Sequence, residues 1–297
     1  MNTNIKTVFF SLTLLTAFFS CKKQEFTPLT TAPVGLGGET WAKDSTDKFI
    51  YDSLTVPYNV AVYYRWMPND FDLTANIVPP DESKVIPMLK TLTNVAFPPY
   101  NDQTGSTAFL RRYLPKTFVL AGSAEWQPNG TIVLGQAEGG TRITYFQLNT
   151  FSRLKKDSAV LKQIIHTMHH EFGHILHQNV LFPASYQNIT GGYTGTWFNI
   201  TDVNARKAGF ITSYAMAAPQ EDFVEMIASM LVGAQNGPTG YDNYEKLLTQ
   251  AGSATSAPYL AIKAKEAAVV DYFKRVWNID FYALQALCRS RLAGFYQ

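Results

Sequence analysis

All five histidines of this 297-residue chain lie between His166 and His177, and the residues between them are apolar at helical spacing. On a wheel advancing about 100° per residue, Leu161, Ile164, Ile165, Met168, Phe172, Ile175 and Leu176 fall on one face. His166, His170, His174 and His177 fall on the opposite face. The spacing predicts a helix over 160–178 that sinks one side into a core and turns imidazoles toward a cleft. Any fold for this chain must supply both.

Those imidazoles carry a specific chemistry. Zinc takes nitrogen, sulfur or oxygen ligands at about 2 Å, and catalytic sites use three protein ligands and leave one position open. His170 and His174 are one turn apart, so both can reach one ion. Glu171 lies beside the pair rather than over it, where it can act as general base on a metal-bound water without displacing it. The H-E-x-x-H pattern is met only by His170, Glu171 and His174. His166, His169 and His177 are expected to line the cleft or face solvent rather than bind metal.

A third ligand must come from elsewhere. The pattern that adds a Gly and then a third His at three-residue steps after the second motif histidine fails, because those places hold His177 and Val180. A later helix is the better source. Pro219 suits a first helical turn, and Phe223, Ile227, Met230 and Leu231 give it an apolar face. Glu221 and Glu225, four apart, share one side. We assign Glu221 as third zinc ligand, with Asp222 as the alternative oxygen donor. Glu225 then becomes the acceptor that fixes a ligand histidine's tautomer. Tyr214, just before the helix, can donate its hydroxyl to a developing oxyanion. The helix dipole alone would favour Glu221 and Asp222 in a first turn, but it does not account for Glu225.

The remainder of the chain reads as an ordinary globular protein with a processed start. With 46% hydrophobic and 16% charged residues it is neither disordered nor a coiled coil. A net charge of +2 leaves no footprint for nucleic acid. Residues 1–20 read as a lipoprotein signal peptide: Lys6, then an apolar run from Val8 to Phe19 too short to span a membrane, then Ser20-Cys21. Cys21 would be lipidated, and acyl chains would tether the protein to a membrane without any spanning segment. A plain secretory signal with an incidental cysteine is the alternative. Residues 21–43, rich in Thr, Pro and Gly, form a flexible tether. Residues 44–297 form the catalytic domain, and Cys288 is a small core residue.

Within that domain a short helix is expected near Ser45–Leu54, a strand over Tyr58–Trp66, and a helix from Asp81 to Leu92 closed by Pro98-Pro99. Strands follow at Thr117–Ala121 and in a hairpin over Thr131–Leu148 joined through Glu138-Gly139-Gly140. From Asp157 the pattern is mostly helical. The expected class is α+β, with a small mixed sheet packed on the histidine helix and a mostly helical second half. The loop Gly191–Trp197, aromatic and rich in glycine, could line the cleft or be an ordinary surface loop.

The His169–His177 helix, the segment Ala208–Ala215, and Glu221-Asp-Phe-Val-Glu225 together resemble the zinc-binding metallopeptidase lipoproteins of Bacteroidota. The spacing of Tyr214, Glu221 and Glu225 is also similar to that of the anthrax lethal factor catalytic domain. The resemblance implies a zincin-like fold of the gluzincin class, Zn2+ as cofactor, and hydrolysis of a peptide or protein substrate. It also implies a lipid anchor at the cell envelope, most simply at the outer membrane, beside components of a nutrient importer. The family commonly has Ala where Val224 stands.

Two other functions compete. One is a non-catalytic lipoprotein that captures ligands or partners at an importer, against which stands Glu171, dispensable for holding a metal yet present. The other is a zinc amidase acting on a non-peptide envelope polymer. For a peptidase, the Thr131–Leu148 hairpin is the candidate edge on which an extended peptide would pair.

Overall fold

The first helix is specified by its cap. Asp44 accepts from the backbone N–H of Thr46 and Asp47, and the Asp47 side chain returns a bond to the Asp44 N–H, opening α1 (Ser45–Ile50). Arg65 clamps both carboxylates at 2.7 Å. The helix runs on through a π turn, Tyr51–Thr55, to Val56–Tyr58, so the strand expected from Tyr58 shortens to β1 (Ala61–Tyr63). The computed structural model describes residues 42–71, 75–128, 130, 132–133, 135–138, 141–154, 158–236 and 240–295. The segment expected to be a signal peptide over 1–20, Cys21 and the expected tether as far as residue 41 lie outside them. One compact unit spans Lys43–Gln297.

Asp81 caps α2 (Glu82–Thr91) through the Ser83 N–H. Pro98 and Pro99 do not close this segment. They open the next helix, α3 (Pro98–Thr104), where a missing N–H costs nothing. After α4 (Ala108–Tyr113) come β2 (Thr117–Leu120), β3 (Glu125–Trp126), β4 (Ile132–Val133), β5 (Gly135–Glu138) and β6 (Arg142–Tyr145). The sheet order is β1-β2-β6-β5, with β1, β2 and β6 parallel and β5 antiparallel to β6. The expected hairpin is therefore present in β5 and β6. Its first arm, however, divides between two partners, because β4 pairs instead with β3 in a separate ribbon.

This leaves β5 on the sheet edge, beside the long helix α5 (Ser158–Asn179). Gly135 makes the approach possible: a Cβ there would collide with Thr167 Cγ2 on α5. All seven apolar residues of the predicted face of α5 are buried. So are His166, His169, His170, Glu171 and His177, so α5 runs through the interior rather than along its surface.

The second half carries α6 (Asp202–Lys207), α7 (Pro219–Val232), strands β7 (Ala234–Asn236) and β8 (Gly240–Asp242), then α8 (Tyr244–Thr249), α9 (Ala257–Trp277) and α10 (Phe281–Ala293). Pro219 occupies the first turn of α7, and Gly233 at φ 101° ends it. Every residue from Asp222 to Val232 is buried, because α7 is enclosed by α5, α9 and α10. α5 and α7 approach closely at Gly173, where an added Cβ would stand 3.0 Å from Val224 Cγ1. Among the described residues no helix is long and apolar enough to cross a membrane. The architecture is α+β, a small mixed sheet laid against a long helix within a largely helical body.

Candidate metal centre

Each side chain of the centre is placed by one of three elements. α5 supplies His170, Glu171 and His174, α7 supplies Glu221 and Glu225, and the turn Thr212–Tyr214 joins them from in front. His170 Nε2 and His174 Nε2 are 3.2 Å apart, and Glu221 Oε2 lies 3.2 Å from each. Two imidazole nitrogens and one carboxylate oxygen thus converge on one point. The remaining ring nitrogens are turned outward: His170 Nδ1 donates to Glu225 Oε1 at 2.8 Å, and His174 Nδ1 lies 3.1 Å from His177 Nε2. In the tautomer that carries the proton on Nδ1, each ring can offer an Nε2 lone pair to a metal at the gap. A two-nitrogen, one-oxygen set with a free position suits zinc.

A second cluster, His166, His170 and Glu225, is as tightly grouped, but its chemistry differs. Both ring nitrogens of His166 face acceptors: Nδ1 the Gly233 carbonyl at 2.8 Å and Nε2 Glu225 Oε1 at 3.0 Å. With an oxygen atom against each ring nitrogen, His166 faces no open position of the kind seen between His170, His174 and Glu221. Glu225 Oε2 accepts from the Thr212 hydroxyl at 2.6 Å. The cluster is a buried hydrogen-bonded support that orients His170.

The electrostatics follow from this crowding. Burial opposes charge on Glu225, yet His166 and His170 hold its carboxyl well below the usual carboxylate range. Burial likewise opposes charge on Glu221, and its hydrogen bonds with His170 and His174 outweigh it and lower the carboxyl. Tyr214 stacks on the His170 ring at 5.7 Å and is bonded to Glu221. Burial, then Glu221, Glu225 and Glu171, push its phenol upward, so it remains a donor at neutral pH. The residue is 37% exposed and lines the cleft. Glu171 lines the cleft beside His170.

Asp222 does not compete with Glu221. One residue along the helix it points away, into Lys265, with Nζ 2.6 Å from Oδ2 and neither side chain exposed. Tyr193 also donates to Asp222 Oδ2, and Lys265 Nζ donates to the Gly209 carbonyl. Burial pushes the Asp222 carboxyl up to about 6 against the pull of Lys265.

Of the neighbouring histidines, His169 and His177 depart from expectation and His166 does not. His166 does line the cleft, but as the partner of Glu225. His169 is in the core, its Nδ1 2.9 Å from the Tyr100 hydroxyl and its Nε2 3.9 Å from Cys288 Sγ. His177 packs against Phe182 and Phe223. The sequence reading missed Thr212 and Gly135. Thr212 stood within the Ala208–Ala215 segment, and a hydroxyl preceding Tyr214 was the available signal.

Residues 39–282 match a family model described as "Putative zinc-binding metallo-peptidase". The chain belongs to this family. It is also similar to a solved structure titled a putative zinc-binding metallo-peptidase from Bacteroides caccae. The two share 30% identity over 84% of this chain and 92% of that one, with a TM-score of 0.68. No curated protein matches the chain. As a member of a family described as zinc-binding, the chain presents in His170, His174 and Glu221 a group that could hold that ion.

Proposed function

We propose that this protein is a zinc-dependent peptidase in which His170, His174 and Glu221 hold the ion and Glu171 is the general base. The observation that carries this is the convergence of three lone-pair atoms at 3.2 Å with Glu171 on the adjoining cleft wall. A zinc ion bound there would supply Lewis acidity and make a water molecule acidic near neutral pH. Glu171 takes the proton of the attacking water on its carboxylate and passes it to the departing amine. Tyr214 donates its phenolic hydrogen to the carbonyl oxygen as that oxygen gains charge. Glu225, held by His166 and Thr212, keeps the proton of His170 on Nδ1. The edge strand β5 offers backbone for an extended peptide to pair with.

The test pairs metal analysis with turnover. Wild type should bind one zinc and cleave peptides, Glu171→Ala should keep zinc and lose turnover, and Glu221→Ala should lose most of its zinc. Stoichiometric zinc with no cleavage of any peptide refutes the peptidase reading, and full occupancy in Glu221→Ala refutes the ligand set.

The apolar run ending in Ser20-Cys21 supports a lipid anchor, and the family resemblance supports placing it at the outer membrane beside an importer. Palmitate should label the wild type and not Cys21→Ala. An unlabelled wild type removes the anchor.

A further inference from the structure

The lining of the cleft carries exposed apolar surface. The β3–β4 ribbon overhangs one side. In its register Trp126 stands opposite Ile132, and cross-strand partners share a face. Both line the cleft, and they are 70% and 38% exposed. A single exposed apolar residue is commonplace, but a paired Trp and Ile turned into a concavity is a binding surface. Trp197 also lines the cleft, its ring 4.9 Å from that of Tyr214, which in turn lies on His170. Trp197 belongs to the loop anchored by Tyr193 on buried Asp222 and by the Thr194 N–H on the Met216 carbonyl, so this wall is fixed. The space these residues line is about 740 Å³, within the range of specific ligand sites.

Charge sharpens the match. The described residues lining this space include Glu171, Glu225 and Asp202 and no lysine or arginine. Among the described lining residues no lysine or arginine offers an ion-pair partner to a substrate carboxylate, and the acidic groups disfavour one.

The geometry points to a peptide substrate with a large apolar or aromatic side chain beside the scissile bond, seated between Trp126–Ile132 and Trp197, with acidic residues excluded from that position. This deepens the peptidase reading and rests on it. Trp126 acts here as a specificity-determining residue. It lies on a ribbon apart from the main sheet and takes no part in holding the metal.

The full chain, purified in detergent and loaded with zinc, is given a diverse peptide library and the cut sites are sequenced by mass spectrometry. Phe, Tyr, Trp, Leu, Ile or Met is expected beside the cut bond, with Asp and Glu depleted. Trp126→Ala should lower kcat/KM on a favoured peptide by roughly 10- to 100-fold, the usual worth of an apolar subsite. On a matched peptide with Ala at that position it should change little. A parallel variant, Ile132→Ser, should shift the same preference, and unchanged circular dichroism and zinc content show that both variants are folded. Cleavage without side-chain preference, or a preference untouched in both variants, overturns the inference and leaves the peptidase reading standing. If wild type cuts nothing, both fall together.

Discussion

Replacing Lys265 with methionine tests the foundation of the metal helix. The ammonium and the Asp222 carboxylate are 2.6 Å apart with no exposed surface on either side chain. At an effective dielectric of about 20 their attraction is about 6 kcal/mol. Methionine recovers part of this, since it fills much of the same volume and needs no desolvation. What remains is the cost of a buried carboxylate without its cation, about 3–5 kcal/mol. Asp222 keeps only Tyr193 on Oδ2, and Oδ1 already lacks a partner.

Urea unfolding followed by circular dichroism should show the loss. With a slope of about 3 kcal/mol/M the midpoint falls by roughly 1–1.7 M. The variant should also acquire a pH dependence of known sign. Burial already raises the Asp222 carboxyl to about 6 with the lysine present, and losing the cation raises it further. A folded value above the unfolded value of about 4 means that the stability difference is smallest below about pH 4 and grows as pH rises through the folded value. The double variant Lys265→Met/Asp222→Leu should recover most of the loss at neutral pH. A single variant within about 1 kcal/mol of wild type and flat with pH would refute the reasoning, because a buried unpaired carboxylate cannot be that cheap.

Two further outcomes follow from the fold. Hydrogen bonding to Arg65 lowers the Asp47 carboxyl to about 2, so its contribution is present above about pH 4 and is lost as pH falls toward 2. Arg65→Met should flatten that acid limb by about 0.5–1 kcal/mol, a small value because solvent screens this surface pair; an unchanged acid-unfolding curve would refute it. Gly135→Ala should cost about 1–3 kcal/mol by driving β5 against α5. Thr167→Ala should restore most of it in a thermal melt, and a neutral Gly135→Ala would show that the contact is slack.

The histidine helix was legible because its period serves two purposes at once, core on one face and ligands on the other. The sequence also pointed to Glu221 and Glu225, since two acids one turn apart on an apolar helix have few other uses. What could not be read was direction. Glu221 and Asp222 are adjacent in sequence and equivalent in charge, and only Lys265, 43 positions further on, draws one of them away. The histidines flanking the motif were opaque for the same reason. His169 and His177 are polar by type, but their partners Tyr100, Cys288 and Phe223 come from distant segments. The β3–β4 ribbon escaped notice because strands of two residues carry no period.

The meeting of Gly173 and Val224 divides a fixed volume unequally between two helices. With no side chain on one and a branched one on the other, the axes are held at the separation that lets Glu221 reach across to His170 and His174. Positions 173 and 224 therefore form a single calibrated spacer, and a change of bulk at one is tolerable only with an opposite change at the other. Drift at these two sites would be heard first as a change in metal affinity, before any ligand had been touched.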